Sequence, residues 1–318
     1  MRRALRIATR ASELALRRAR AVQAMLAARE IDSELVTFRT TGDKHFEEML
    51  PPAGTKTVFT KELEAALLKN KAEIAVHGLS DVSTDPAPGL AIAAVPARDD
   101  PRDVIVLGHQ LEATPLAELP RGTRIGTSSV RCRSLLRALF PDLEVVHLRG
   151  DLPTRLHKVD DGQVHGTIVA AAALHRLEAS QRIAAYLEPP WWLPAPAQGA
   201  IAIQVRDDDV STRDLVSPLD DHRARLDTAA ERALLAALEG GLQSPVAALV
   251  VSATERRVLH GAIADQQGRE LLRAELTMDD SQPELVGVRV ANDLRAKGAS
   301  RILDALRGAN RIAAPQPD

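Results

Sequence analysis

Three short stretches of this chain place hydroxyls, a helix start and an arginine within a few residues of one another. They are Thr9-Arg10-Ala11-Ser12, Thr127-Ser128-Ser129-Val130-Arg131, and Arg149-Gly150-Asp151 followed by Thr154-Arg155. Such a cluster suits carboxylates or phosphates. The first N–H groups of a helix lack internal partners, the helix dipole is positive there, and a guanidinium can add two parallel hydrogen bonds to one carboxylate. At any one junction the hydroxyls could serve only as helix caps and the arginine could be solvated. Three junctions of one kind favour an anion-binding cleft. The acidic candidate is Asp81, in HGLSDVS directly after the apolar run IAVH. An aspartate in that position could equally be a cap or a turn residue.

The elements that must position these residues follow from periodicity. ALRIAT reads as a strand, and Ala15, Ala19, Val22 and Leu26 then recur at helical spacing from Ser12 onward. ELVTF, a helix from about Thr60, and strands at 74–77 and 90–95 continue the alternation. A second series begins with VIVL near 104 and runs through RIGTSS, a helix ending near Phe140, LEVVHL, a helix from about Asp151, and TIVAAA. Strands separated by helices predict an α/β fold with parallel or mixed sheets covered on both faces, with ligands at the C-terminal strand edge. AIAIQV, after PPWWLPAPAQGA, is predicted to return to one of the two lobes. A helix through Leu226, Ala230, Leu234 and Ala237 stops at Gly240-Gly241. AALVVSA, RVLHGAIAD and ELLRAEL read as strands, and 283–297 and 300–307 as helices, giving a small α+β third domain.

Composition removes several function classes. With 41 basic and 43 acidic residues the chain has no overall field to recruit nucleic acid or an anionic membrane, and at 2% aromatic residues it offers few base-stacking surfaces. The single cysteine, Cys132, excludes an intrachain disulfide framework and a cysteine-rich zinc site, and the nine histidines lack ligand spacing. No apolar run approaches a membrane helix and MRRALRIATRASELAL lacks a secretory signal's apolar core, so a cytoplasmic location is expected.

Eight runs, in order along nearly the whole chain, carry a resemblance: RIATRASELAL at 6–16, GTKTVFTKELEAALL at 54–68, EIAVHGLSDV at 73–82, DDPRDVIV at 99–106, RIGTSSVRCRSLL at 124–136, LRGDLPTRL at 148–156, PAPAQGAIAI at 194–203 and AERALLAALEGGLQSPV at 230–246. In these the chain resembles the porphobilinogen deaminase (hydroxymethylbilane synthase) family. The resemblance implies two periplasmic-binding-protein-like lobes around a cleft: 1–99 with 200–217 in one, 100–199 in the other, and 218–318 as the C-terminal α+β domain. It also implies a transferase that joins porphobilinogen units with loss of ammonia on a dipyrromethane held by a cysteine thioether. By position, Asp81 matches the carboxylate that stabilises the azafulvene cation. Arg10, Ser12, Thr127, Ser128, Ser129, Arg131, Arg149, Arg155 and Arg176 match residues that bind acetate and propionate side chains. Lys56 and Phe59 match the active-site loop, and Gln198 a residue near the reacting pyrroles. The implied partners are small pyrrole carboxylates, with neither nucleic acid nor membrane, and the chain is expected to act as a monomer.

The departures are specific. The family's anchor cysteine is Leu242, which has no sulfur and cannot form the thioether. The lysine usual before the catalytic aspartate is Ser80, the second arginine of the usual pair is Cys132, and Pro52 stands where a lysine is usual. No covalent cofactor is therefore expected at the family position, leaving a non-covalent or relocated dipyrromethane. Three readings follow. The first is condensation of porphobilinogen or a related aminomethylpyrrole through Asp81 with a free primer. The second places a primer on Cys132, whose helix N-terminus and neighbour Arg131 would favour thiolate, against the plain alternative that the thiol only fills space. The third is a non-catalytic binder of pyrroles or polycarboxylates in the inherited cleft.

Overall fold

The chain is seen in a computed structural model that describes residues 4–40, 60–85, 87–111, 114–240, 244–252 and 256–312. Its first sheet has the order β2-β1-β3-β10-β4, from Leu5–Arg10 (β1), Ser33–Phe38 (β2), Ile74–Gly78 (β3), Leu90–Ala94 (β4) and Ile201–Arg206 (β10). β1 pairs in parallel with β2 and β3, whereas the returning β10 runs antiparallel to β3 and β4. On one face Ile7, Ile74, Val76 and Ile203 pack against Ala19, Val22 and Leu26 of helix α1 (Glu13–Ala27). On the other, Ala8 and Ala75 meet Leu63 and Leu67 of α2 (Lys61–Leu68). Covered on both faces, β3 is buried along its whole length, which is why IAVH reads as a continuous apolar run.

The second sheet, order β7-β6-β8-β5-β9, comes from Asp103–Leu107 (β5), Arg124–Gly126 (β6), Glu144–Val146 (β7), Gly166–Ala170 (β8) and Ala185–Leu187 (β9). It is flanked by α3 (Val130–Leu139), α4 (Leu152–Asp160) and α5 (Ala171–Arg176). A short helix, α6 (Val210–Val216), follows β10. The third sheet is an antiparallel meander of β11 (Val246–Ser252), β12 (Arg257–Ala264) and β13 (Leu271–Thr277). Its apolar face packs on α7 (His222–Ala237), α8 (Pro283–Ala296) and α9 (Ala299–Ile312), through Leu234, Val290 and Ile302 among others. The two lobes and the small α+β domain are the architecture that the periodicity and the resemblance predict.

Two crossovers, near 95–102 and 187–200, join the lobes and run side by side. Gly199 has φ 85°, and a Cβ there would lie 2.7 Å from the Asp99 carbonyl oxygen, so only glycine allows this approach. Glu231 of α7, fully buried, closes the junction. It accepts from Arg98 Nη1 at 2.7 Å and Nη2 at 2.8 Å, from the Ala197 amide at 2.7 Å and from the Val250 amide at 3.0 Å. One carboxylate thus joins both crossovers to the third sheet. Replacing Glu231 with alanine strands the nearly buried Arg98 cation and two amides, and should cost about 3–5 kcal/mol in urea unfolding. A loss below about 1 kcal/mol, the range of an exposed pair, would contradict that role.

Candidate active site

Residues of two of the three junctions, 9–12 and 149–155, converge on a cavity of about 280 Å³ between the lobes. Arg10, Ser12 and the start of α1 form one wall; Gly150, Asp151, Pro153 and Arg155, at the start of α4, form the other with Val169 and Ala170. Asp81 enters from a 3₁₀ turn, Leu79–Asp81, that continues directly from β3. Arg10, Val169 and Ala170 are at the C-terminal ends of β1 and β8, and Ser12 and Asp81 follow such ends, where open α/β sheets place ligands. A larger cavity, about 650 Å³, lies between the second lobe and the third domain, lined by Trp191, Leu193, Arg273 and Lys297. None of the junction residues or Asp81 lines it, so size does not identify the reactive site here.

The smaller cavity sets three arginines, Arg10, Arg18 and Arg155, beside three carboxylates, Glu13, Asp81 and Asp151. Burial pulls the guanidinium of Arg155 below its usual range, with only Asp151 and Cys132 opposing that effect. Burial does the same to Arg18 of α1, where Asp81 is the chief opposing charge and Arg176 and Arg10 add repulsion. Beneath them His77 is pushed down to about 4, first by burial and then by Arg10 and Arg18, while its Nε2 shares a 3.1 Å hydrogen bond with Gln204 Oε1. It is therefore neutral near pH 7 and adds no charge. Arginines that are desolvated and under-compensated favour an anion entering the cavity. Arg176 reaches across the lobes to the Asp99 carboxylate, and its Nη1 has no hydrogen-bond partner among the described residues.

The turn that carries Asp81 is held by the third domain. Arg232 of α7 donates from Nη1 to the carbonyls of Leu79 (3.1 Å) and Val82 (2.8 Å), and from Nη2 to that of Ser83 (2.8 Å). Burial pushes its guanidinium down to about 10, still cationic near neutral pH.

Other sequence-predicted residues fall outside the cavity wall. The Ser129 hydroxyl caps α3, accepting from the Cys132 amide at 3.3 Å, and Thr127 Oγ1 accepts from the Ser129 amide at 3.1 Å. Those two hydroxyls serve the helix start. Ser128 Oγ accepts from Arg155 Nη2 at 3.1 Å and so steadies a residue that does line the cavity. Arg149 donates to His147 Nε2 at 2.6 Å. Arg131 and Gln198 also lie outside the cavity lining, and both are turned onto buried Asp103. Arg131 Nη1 donates to Asp103 Oδ2 at 2.6 Å, Gln198 Nε2 to Oδ1 at 2.9 Å, and Trp192 Nε1 to Oδ2 at 2.7 Å. Burial works against the Arg131 charge but Asp103 outweighs it, and a buried carboxylate needs such partners. Cys132 is buried at 3% exposure, and burial raises its thiol pKa despite Arg131, so the expected thiolate is not favoured. Lys56, Phe59, Pro52 and Leu242 lie outside the described residues. Arg18 and Arg232 were missed because each reads as an ordinary polar position in an amphipathic helix.

A two-lobed α/β protein with an arginine-lined cleft and the carboxylate of Asp81 at its strand edge is the class these features define. Residues 5–214 match the family described as "Porphobilinogen deaminase, dipyromethane cofactor binding domain", and 226–296 match "Porphobilinogen deaminase, C-terminal domain". The porphobilinogen deaminase of Syntrophobacter fumaroxidans is 42% identical over 304 residues, covering 95% of this chain and 97% of that one. That of Syntrophotalea carbinolica is 41% identical over 305 residues, covering 95% and 96%. The chain therefore belongs to the porphobilinogen deaminase family, the deaminating pyrrole-condensing transferases. Among solved structures, the Bordetella pertussis BvgS VFT2 domain aligns with TM-score 0.42 and 18% identity over 68% of this chain and 86% of that one. Among the described residues no group of three or more histidine, cysteine or acidic side chains could hold a metal, and no helix is long and apolar enough to cross a membrane.

The burial of Cys132 has a direct readout. In native protein a disulfide reagent should label it at least about tenfold more slowly than in denaturant, since the thiolate is the reactive form. Equal rates would contradict the buried placement.

Proposed function

We propose that this chain condenses porphobilinogen, or a closely related aminomethylpyrrole, with loss of ammonia, using Asp81 and an acceptor pyrrole that is not tethered to the protein. The observation that carries the reading is Asp81 entering an arginine-lined cavity between lobes. Porphobilinogen brings two carboxylates and one ammonium. Arg10, Arg155 and the helix starts at Ser12 and Asp151 suit the first, and Asp81 suits the cationic part.

The chemistry asked of the protein is electrostatic. As the C–N bond of the aminomethyl group breaks, ammonia leaves with the bonding pair and positive charge spreads over the pyrrole and its methylene. A carboxylate fixed beside that charge lowers the barrier because it needs no reorganisation as the charge develops. The methylene carbon then accepts an electron pair from a free α-carbon of the acceptor pyrrole, whose α-proton is released. Arg232 keeps Asp81 in place by gripping its turn from both sides.

The family's dipyrromethane fits this chain in one respect and not in the other. Leu242 offers no sulfur for the thioether, and Cys132 is buried with its thiol pKa raised, so covalent anchorage fits at neither position. Non-covalent retention fits, because Arg10, Ser12 and Arg155 could hold its carboxylates; bound there, it would supply the acceptor α-carbon.

Ammonia release from porphobilinogen by purified protein tests the reading. Turnover should fall about 10²–10³-fold in Asp81→Asn, the range for losing one aimed electrostatic group. No ammonia from the wild-type protein with an added dipyrrole primer, or full activity in Asp81→Asn, would overturn it.

A further inference from the structure

Arg18 lines the cavity, and among the described residues its guanidinium is placed by a single ion contact, with Asp81. Its Nη1 lies 3.6 Å from Asp81 Oδ2, an ion contact too long for a hydrogen bond, and no hydrogen bond from its guanidinium is made among the described residues. Other deeply placed arginines behave differently. Arg98 spends three donor groups on Glu231 and Gln198, Arg131 holds Asp103 and the Leu193 carbonyl, and Arg232 holds three carbonyls. Those are structural clamps whose terminal guanidinium nitrogens are engaged, although Arg131 Nε has no partner among the described residues. Arg18, with a side chain only 22% exposed, keeps its donors available beside a cavity.

The backbone below makes room for it. A Cβ on Gly78 would sit 2.9 Å from Arg18 Nη1 and 3.0 Å from Asp81 Oδ2, so a side chain there would press both ends of the pair out of their present places. Ser80, the residue beside Asp81, brings no charge of its own. A guanidinium fixed next to Asp81 would also oppose the cation that Asp81 is meant to stabilise. That conflict disappears if an incoming carboxylate takes up the arginine's unused donors.

Resting on the functional reading above, we infer that Arg18 is a positioning and substrate-recognition residue. In the free protein it balances Asp81. On binding, it turns its open donors to a pyrrole carboxylate, which draws the positive charge off Asp81 and leaves that carboxylate to face the developing cation. Productive ionisation is thereby coupled to a correctly placed substrate carboxylate, and a decarboxylated pyrrole would be a poor substrate even where it fits.

The test compares wild type, Arg18→Gln, Arg18→Lys and the double variant Arg18→Gln/Ser80→Lys. Porphobilinogen binding is read by calorimetry, KM and kcat by ammonia release, and folding by thermal melting. Arg18→Gln should keep its melting temperature, raise Kd and KM about tenfold or more as a charged hydrogen-bonding group is lost, and lower kcat. Lysine at 18, or at 80 in the double variant, should restore at least part of both. Arg18→Gln with unchanged KM and kcat, or a loss that neither lysine relieves, would overturn the inference. Wild-type protein that neither binds nor consumes porphobilinogen would remove the functional reading and this inference with it. Wild-type turnover that Arg18→Gln leaves untouched would remove this inference alone.

Discussion

One turn of helix α7 carries the constraint on which the rest of the molecule depends. Glu231, fully buried, would be strongly destabilising if left alone, and it survives because Arg98 and two backbone amides surround it. Its partners come from both crossovers between the lobes and from the third sheet, so a single ionic knot sets where the three parts meet. The next residue, Arg232, points the same helix at the turn bearing Asp81. Placement of the lobes and placement of the turn that carries Asp81 are therefore enforced by adjacent side chains.

This arrangement explains why a small third domain is needed by a site that lies between the other two. The cavity walls are helix starts, which supply N–H groups and dipole, and arginines that burial leaves under-compensated. Such walls attract anions but have no strong means of placing a carboxylate against a developing cation. The turn after β3 provides that carboxylate, and α7 holds the turn. The departures at Leu242, Ser80 and Cys132 leave this core of Asp81, Arg10 and Arg155 in place. Against the family pattern, they remove a sulfur at 242 and a positive charge at each of 80 and 132.

Much of the fold was legible because its signals are local. Ala15, Ala19, Val22 and Leu26 specify the buried stripe of α1, and the doubly covered β3 shows as an unbroken apolar run. The three-residue β9 and the seven-residue α6 were not, since neither is long enough to show a period. In the site, Asp81, Arg10, Ser12 and Arg155 were legible as junction residues at strand ends. Arg18, Arg232 and Asp103 were not, because their roles arise from partners far away in sequence: Asp81 for Arg18, the 79–83 turn for Arg232, Arg131 and Gln198 for Asp103. The same distance effect hides the contact of Arg131 and Gln198 with Asp103, since nothing local in the sequence announces that both hydrogen-bond that buried carboxylate.

The central claim is that condensation is driven by Asp81 without any bond between protein and primer. Intact mass measured under denaturing conditions, after turnover with isotopically labelled porphobilinogen, tests it most directly. The account predicts protein at the mass of its unmodified sequence, with all labelled pyrrole product recovered free in solution. A protein fraction that carries the mass of a dipyrrole or longer chain and survives denaturation would contradict it.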